Sequence, residues 1–201
     1  MKPLVSCLMV TTGSRSEHIP RALECYRAQA PLREMIVVSE DGLTLNTGRF
    51  VRCAPGLTIG EKRNIAVAHA SGEYVATWDD DDWSHPDRLA VQLAALEAHP
   101  EADAVIMSRA TLVCPHRNLF GISSVGSWQA SMLARRWRLP CYPAQNLEED
   151  TEVINKLKVE FLDRPDLFHY HIHGDNTFWT KKNFDWLFAY ATPCEKPAWV
   201  G

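Results

Sequence analysis

The chain has 201 residues, 46% of them hydrophobic and 23% charged, with a formal net charge of -4. That length and apolar content suffice for one well-packed unit. Its 21 Lys and Arg residues are scattered along the chain, so the sequence shows no basic face for a nucleic-acid polymer and none is expected as a partner, although a single nucleotide could still bind.

The opening stretch, MKPLVSCLMVTTGSRSEH, carries one Lys and an apolar run of about seven residues, too short for a signal peptide or a membrane span. The expectation is a cytoplasmic protein with no integral membrane span, at most a peripheral visitor to the inner membrane face. LVSCLMV at 4–10 reads as a strand buried on both faces that ends in the polar loop TTGSR. Residues 17–30 read as a helix with Ser16 as N-cap and Ile19, Leu23 and Tyr26 on one side. EMIVVSEDG at 34–42 repeats the strand-then-polar pattern, so strand, helix and strand predict a parallel pair with a right-handed crossover.

A third cycle follows, with a short strand at 51–55, a helix at 60–72 closing at Gly72, and a buried strand EYVATW at 73–78. That strand runs directly into Asp79, Asp80, Asp81 and Asp82. Pro86 suits the first turn of a helix reaching His99, with Leu89, Leu93 and Leu96 on one face. Beyond it, 103–114 reads as strand, 126–137 as helix, 147–159 as helix and FHYHIH at 168–173 as strand. The six cysteines are widely spaced with no CxxC pair, the pattern of reduced, mostly buried thiols. The fold class is α/β with a mostly parallel sheet, and ligands of such sheets bind beyond the carboxyl ends of the strands. TTGSR, SEDG and DDDDW should meet there.

If the aspartate run is extended, Asp79 and Asp81 face one pocket while Asp80 and Asp82 point elsewhere. Hard oxygen ligands at that spacing suit Mg²⁺ or Mn²⁺; a helix start capped by Asp81, Asp82 and Ser84, or a solvated turn, explains the same residues without a ligand. Lys62 and Arg63 open a helix whose first amides favour an anion, and Arg63 could fork onto a diphosphate; an exposed basic pair is the plainer alternative. Glu40 and Asp41 either accept hydrogen bonds from a base or ribose or simply make a turn. The acids of NLEEDTEV either stabilise a helix N-terminus or provide a general base. His169, His171 and His173 alternate, so a strand would place them on one face, with one imidazole completing an Asp81 metal site favoured over a three-histidine zinc site. The tryptophans, among them Trp78, Trp83, Trp128, Trp137 and Trp179, read as core or pocket walls.

These pieces resemble the family-two glycosyltransferases of the GT-A fold. The resemblance rests on VSCLMVTTGSR, on MIVVSEDG, and above all on GEKRNIAVAHASGEYVATWDDDDW, with NLEEDTEV and HIHGDNT further on. It covers residues 3 to 180 and implies a GT-A type, Rossmann-like central sheet, flanked by helices, with a smaller mixed acceptor-side region. It further implies one domain, a nucleotide-sugar half at 1–82 and an acceptor-side half at 83–201. By the same resemblance, Thr11, Glu40, Asp41, Lys62, Arg63, Asp79 and Asp80 would bind the UDP-sugar donor, Asp79 at its ribose, and Asp81, with Asp82 and His173, a Mn²⁺ or Mg²⁺ ion. Asp150, or Glu148 or Glu149 beside it, would deprotonate the hydroxyl of a carbohydrate or other acceptor, with inversion. At this length no long acceptor domain of a processive synthase is expected. Two other classes compete: a metal-dependent hydrolase or nucleotidyltransferase acting on a nucleotide sugar, and a nucleotide-sugar-binding module without catalysis.

Overall fold

The computed structural model describes residues 4–41, 43, 45–174, 176 and 181–200. Seven strands form the first sheet. In chain order the elements are β1 (Val5–Val10), α1 (Ile19–Ala28), β2 (Arg33–Ser39), β3 (Arg49–Arg52), α2 (Ile59–His69), β4 (Tyr74–Thr77), β5 (Trp83–Ser84), α3 (Arg88–Ala98), β6 (Ala104–Met107) and β7 (Thr111–Cys114). They continue with β8 (Leu119–Ile122), β9 (Trp128–Arg135), α4 (Glu149–Ile154), β10 (Val159–Leu162), β11 (Phe168–His171), α5 (Lys181–Ala189) and β12 (Thr192–Pro193). The first sheet has the order β10-β6-β9-β4-β1-β2-β3 and is parallel except at β9, which runs antiparallel to both neighbours. A second, mostly antiparallel sheet has the order β12-β8-β7-β11-β5.

Period-two alternation sorts the core into two layers. Cys7, Met9, Met35, Val37 and Ala76 face α1 and α3, where Ile19, Leu23, Tyr26, Leu89, Leu93 and Leu96 meet them. Leu8, Ile36, Val38 and Val75 face the other way, against Ala66 of α2 and against Tyr142 and Val153. The leucine face expected for the helix after Pro86 is thus the one buried. The second sheet takes off from the first at the aspartates, because β4 ends at Thr77 and β5 begins at Trp83. Among the described residues no helix is long and apolar enough to cross a membrane, and all six cysteines are free, Cys7, Cys25, Cys53 and Cys114 being buried.

Several expectations are corrected. Residues 126–137 are not a helix: β9 slots between β4 and β6, and Ser131 to Ala134 are buried on both sides. Its Met, Leu, Ala and Arg have good helix propensity, but two flanking ladders of hydrogen bonds override it. The single strand at 103–114 is two strands in different sheets, and the helix at 147–159 stops at Ile154 before β10. Ser16 does not cap α1, which starts at Ile19 after a 3-10 turn at Gly13–Arg15. Asp81, Asp82 and Ser84 do not cap α3, whose N-cap is Asp87. α2 ends at His69 rather than Gly72, and Gly72 is needed for a different reason: a Cβ there would lie 2.7 Å from the Ser6 backbone nitrogen.

The start of α2 is secured by protein partners. Thr58 and Glu61 form a reciprocal capping box, Ile59 N–H donates to Asn146 Oδ1 at 2.9 Å and Gly60 N–H to the Gln145 carbonyl at 3.1 Å. The segment that follows β9 therefore rests on α2, and a Cβ at Gly60 would lie 1.9 Å from the Pro143 carbonyl oxygen. Gly60→Ala is expected to lower stability by about 1–3 kcal/mol through overpacking, read as an earlier urea midpoint; an unchanged midpoint would show that the segment yields freely.

Candidate active site

Beyond the carboxyl ends of β1 and β4 lies a cavity of about 480 Å³. Thr11 and Arg15 come to it from the loop after β1, Lys62 and Arg63 from α2, Asp79, Asp80 and Asp81 from the end of β4, and Glu149 and Asp150 from α4. Most of its remaining wall comes from the second half of the chain, including the β8–β9 loop, Gln129, Tyr170 and Asn176.

The four aspartates meet four different surroundings. Asp79 is 3.7 Å from the Arg63 guanidinium, and its side chain keeps 30% exposure to the cavity. Burial pushes its carboxyl upward and Arg63 pulls it back, while Asp81, Asp80 and Asp150 add repulsion, so the net direction is up. Asp80 is only 2% exposed. It accepts the Thr11 hydroxyl at 2.5 Å and two contacts from Arg15 Nε at 3.0 and 2.9 Å. Asp81 is also buried, and its Oδ2 meets Arg15 Nη2, His173 Nε2 at 3.0 Å and Asn176 Nδ2 at 3.4 Å. Burial alone would raise the Asp81 carboxyl, but the His173 hydrogen bond and Arg15 outweigh it and hold it below the usual range.

Asp82 turns away from the cavity. Its Oδ1 accepts the His171 backbone N–H at 2.9 Å, and its buried Oδ2 has no partner among the described residues. Burial first, then Asp81 and Asp79, push it well above the ordinary carboxylate value, which favours the neutral acid. The run is irregular backbone rather than strand, so the expected two-and-two alternation fails: Asp79, Asp80 and Asp81 share the cavity and Asp82 alone leaves it. Asp82, expected as a metal ligand, does not line the cavity and bonds the His171 backbone instead, and Asp80, expected to point elsewhere, lines it and is held by Arg15.

Arg63 spans the site. Its Nε donates to Glu149 Oε1 at 3.1 Å, its guanidinium lies 5.8 Å from the Tyr142 ring centroid, and the acids around it raise its affinity for its proton. Lys62 reaches Glu40 at 3.4 Å. The α2 amides are not open to an anion, since the capping box and residues 145–146 hold them. Glu40 also accepts the Gly56 N–H at 2.9 Å, and Asp41 accepts the Gly13 N–H at 2.5 Å; both lie outside the cavity lining and tie loops together. Asp150 sits in the first turn of α4, with Oδ1 accepting the Thr151 N–H at 2.8 Å.

The alternating histidines divide between two neighbourhoods. His169 accepts from Trp199 Nε1 at 2.8 Å and packs on Trp83, and burial lowers it to about 4. His171 Nδ1 faces Arg21 Nη2 at 2.8 Å, and burial together with that guanidinium lowers it to about 3. The partner of His171 and His173 is His18, and the nitrogens of these three lie within 4.8 Å of one another. Arg21 occupies the His171 lone pair there, so a cation on all three imidazoles would have to displace it. Arg15, His18 and Asn176 are the functional neighbours that sequence reasoning did not single out, while Glu149, weighed there as a base, stands instead as the partner of Arg63. Arg15 carried a signal as the basic residue closing TTGSR after a buried strand, and Asn176 as part of HIHGDNT. Trp179, expected as a wall, lies outside the described residues.

The sequence pattern of glycosyl transferase family 2 matches residues 6–115. Among solved structures, S. aureus TarS 1-349 in complex with UDP-GlcNAc superposes with a TM-score of 0.67 at 15% identity, covering 88% of this chain and 60% of that one. S. aureus TarS 1-349 in complex with UDP gives 0.68 at 15% identity over 86% and 61% of the two chains. S. aureus TarS gives 0.65 at 16% identity over 89% and 38%. The chain thus spans at most 61% of the length of these TarS structures, and a search of curated proteins finds no match. The match over more than half of the chain, on a GT-A sheet whose loops converge on the acids, establishes that this protein belongs to glycosyl transferase family 2.

Proposed function

We propose that the chain is a metal-dependent, inverting glycosyltransferase that moves a sugar from a UDP-sugar to an acceptor hydroxyl. The observation that carries this reading is the convergence in one cavity of Arg63, Asp79 and Asp81 with Asp150, which lies 69 residues beyond Asp81 in the sequence. The UDP-GlcNAc and UDP complexes of TarS, with the same fold, support the choice of donor.

A divalent cation fits the residues present. The Asp81 carboxylate and His173 Nε2, 3.0 Å apart, offer the hard oxygen and imidazole nitrogen that Mn²⁺ accepts and Mg²⁺ tolerates. When bound, such an ion neutralises charge developing on the leaving diphosphate. Arg15 already shares Asp81 and Asp80, so Asp81 and His173 would hold a cation only as the Arg15 guanidinium gives up its share of Asp81.

The chain's own groups divide the remaining work. Arg63 is fixed between Asp79 and Glu149 and presents positive charge to the diphosphate without reorganising. Asp79 accepts or donates a hydrogen bond to a ribose hydroxyl, and Thr11 and Lys62 flank the nucleotide. Glu149 is committed to Arg63 and 5% exposed, which favours Asp150 over it as the base. Asp150 takes the proton of the acceptor hydroxyl as that oxygen attacks the anomeric carbon, and the bond to the diphosphate oxygen breaks on the opposite face.

UDP binding is expected to strengthen on adding Mn²⁺, with a rise in Tm of about 5–10 °C at a hundredfold excess over Kd. Asp81→Ala should abolish the Mn²⁺-dependent part, whereas Asp82→Asn, which keeps an acceptor for the His171 N–H, should retain it; metal-independent UDP binding untouched by Asp81→Ala would sink the metal assignment. Asp150→Asn should bind UDP normally and lose about 10²–10⁴-fold in kcat. Unchanged turnover removes Asp150 as the base. Turnover of the UDP-sugar that is indifferent to every acceptor would instead identify a hydrolase.

A further inference from the structure

The mouth of the cavity carries an apolar collar. Val125 is 76% exposed, Leu147 55% and Trp186 56%, and all three line the cavity that holds Asp79, Asp81 and Asp150. They arrive from three unconnected stretches: the β8–β9 loop, the turn into α4, and α5. Trp128 and Tyr170, with ring centroids 5.3 Å apart, carry the apolar surface inward. A single exposed apolar side chain is ordinary, but three converging on one concavity form a patch that water leaves unsatisfied.

The collar is on the acceptor side. Leu147 lies three residues before Asp150, and β9 is tied to α4 through Gln129 Nε2 donating to Thr151 Oγ1 at 2.9 Å. A nucleoside diphosphate has little apolar surface to offer, and the residues suited to it, Thr11, Lys62 and Arg63, come from the other half of the chain. The concavity of about 480 Å³ is the size of a small-molecule site, whereas a second copy of the chain would need roughly 800 Å² of matching surface on each side.

Resting on the glycosyltransferase reading above, we propose that the acceptor carries an alkyl chain or other apolar group next to its reactive hydroxyl, and that Val125, Leu147 and Trp186 hold that group while Asp150 meets the hydroxyl. The collar then selects amphipathic acceptors over purely polar sugars.

Calorimetric titration of methyl, butyl and hexyl β-glucosides into the protein with UDP and Mn²⁺ tests this, because only the apolar tail changes along the series. Complete burial of a methylene strengthens binding by about fourfold, so partial burial of five added methylenes should give at least about a tenfold gain from methyl to hexyl. Trp186→Ala and Leu147→Ser should each flatten the series, and because both side chains are more than half exposed the variants are expected to fold. Equal affinity for all three glucosides, or a chain-length gain that survives both substitutions, overturns the proposal. So does a wild-type dimer that Trp186→Ala converts to monomer, since the collar would then cover a second copy. UDP binding, read in the same samples, separates the two levels: UDP bound with a flat series removes only the acceptor inference, while no UDP binding removes both.

Discussion

Four carboxylates in a row must be held at the point where the chain passes from one sheet to the other, and the architecture around them follows from that demand. At an effective dielectric constant of about 20, two unit charges 4 Å apart interact by roughly 4 kcal/mol, so the run could not be packed without compensation. The aspartates are compensated differently: Asp79 by Arg63, Asp80 by Arg15 and Thr11, Asp81 by Arg15 and His173, and Asp82 by burial that pushes its carboxyl well above the usual range and so favours the neutral acid. The partners come from the β1 loop, α2 and the segment after β11, so satisfying the charges also fastens the loops that shape the cavity.

Behind the run stands a second device, the buried guanidinium of Arg88. It lies 5.1 Å from the Trp78 ring centroid and 5.4 Å from that of Phe168. It donates to the Ser84 hydroxyl at 2.8 Å, to the Thr77 carbonyl at 3.0 Å and to Gln92 Oε1 at 3.2 Å, so both ends of the crossing are tied to α3. Burial lowers it to about 10, which still leaves it charged at neutral pH. An arginine without solvent is tolerable only because its donors find partners and nearby acids supply the counter-charge.

The first hundred residues were legible in the sequence because their signals are local. Apolar runs ended by polar loops mark β1, β2 and β4, and the spacing of Leu89, Leu93 and Leu96 marks α3. The second half was harder to read because its conformations depend on distant partners. WQASMLAR becomes β9 only because β4 and β6 leave a slot for it, and nothing within that octapeptide encodes the slot. The candidate site shows the same division. That Asp79 and Asp81 would share a pocket with Arg63 followed from strand and helix ends, whereas the placement of Asp80 depended on Arg15, and the histidine face on His18, Arg21 and Trp199, none of them near in sequence to the groups they contact.

The placement of β9 has a consequence for how such a protein can change. The β8–β9 loop hangs between the two sheets and falls outside the residues 6–115 matched by the family pattern, while the aspartate crossing is pinned by elements that lie mostly within them. Lengthening, shortening or grafting that loop would leave the Arg15, Arg63 and Arg88 anchors untouched. One wall of the cavity can thus change in length and composition without disturbing the ion pairs that fix the opposite wall.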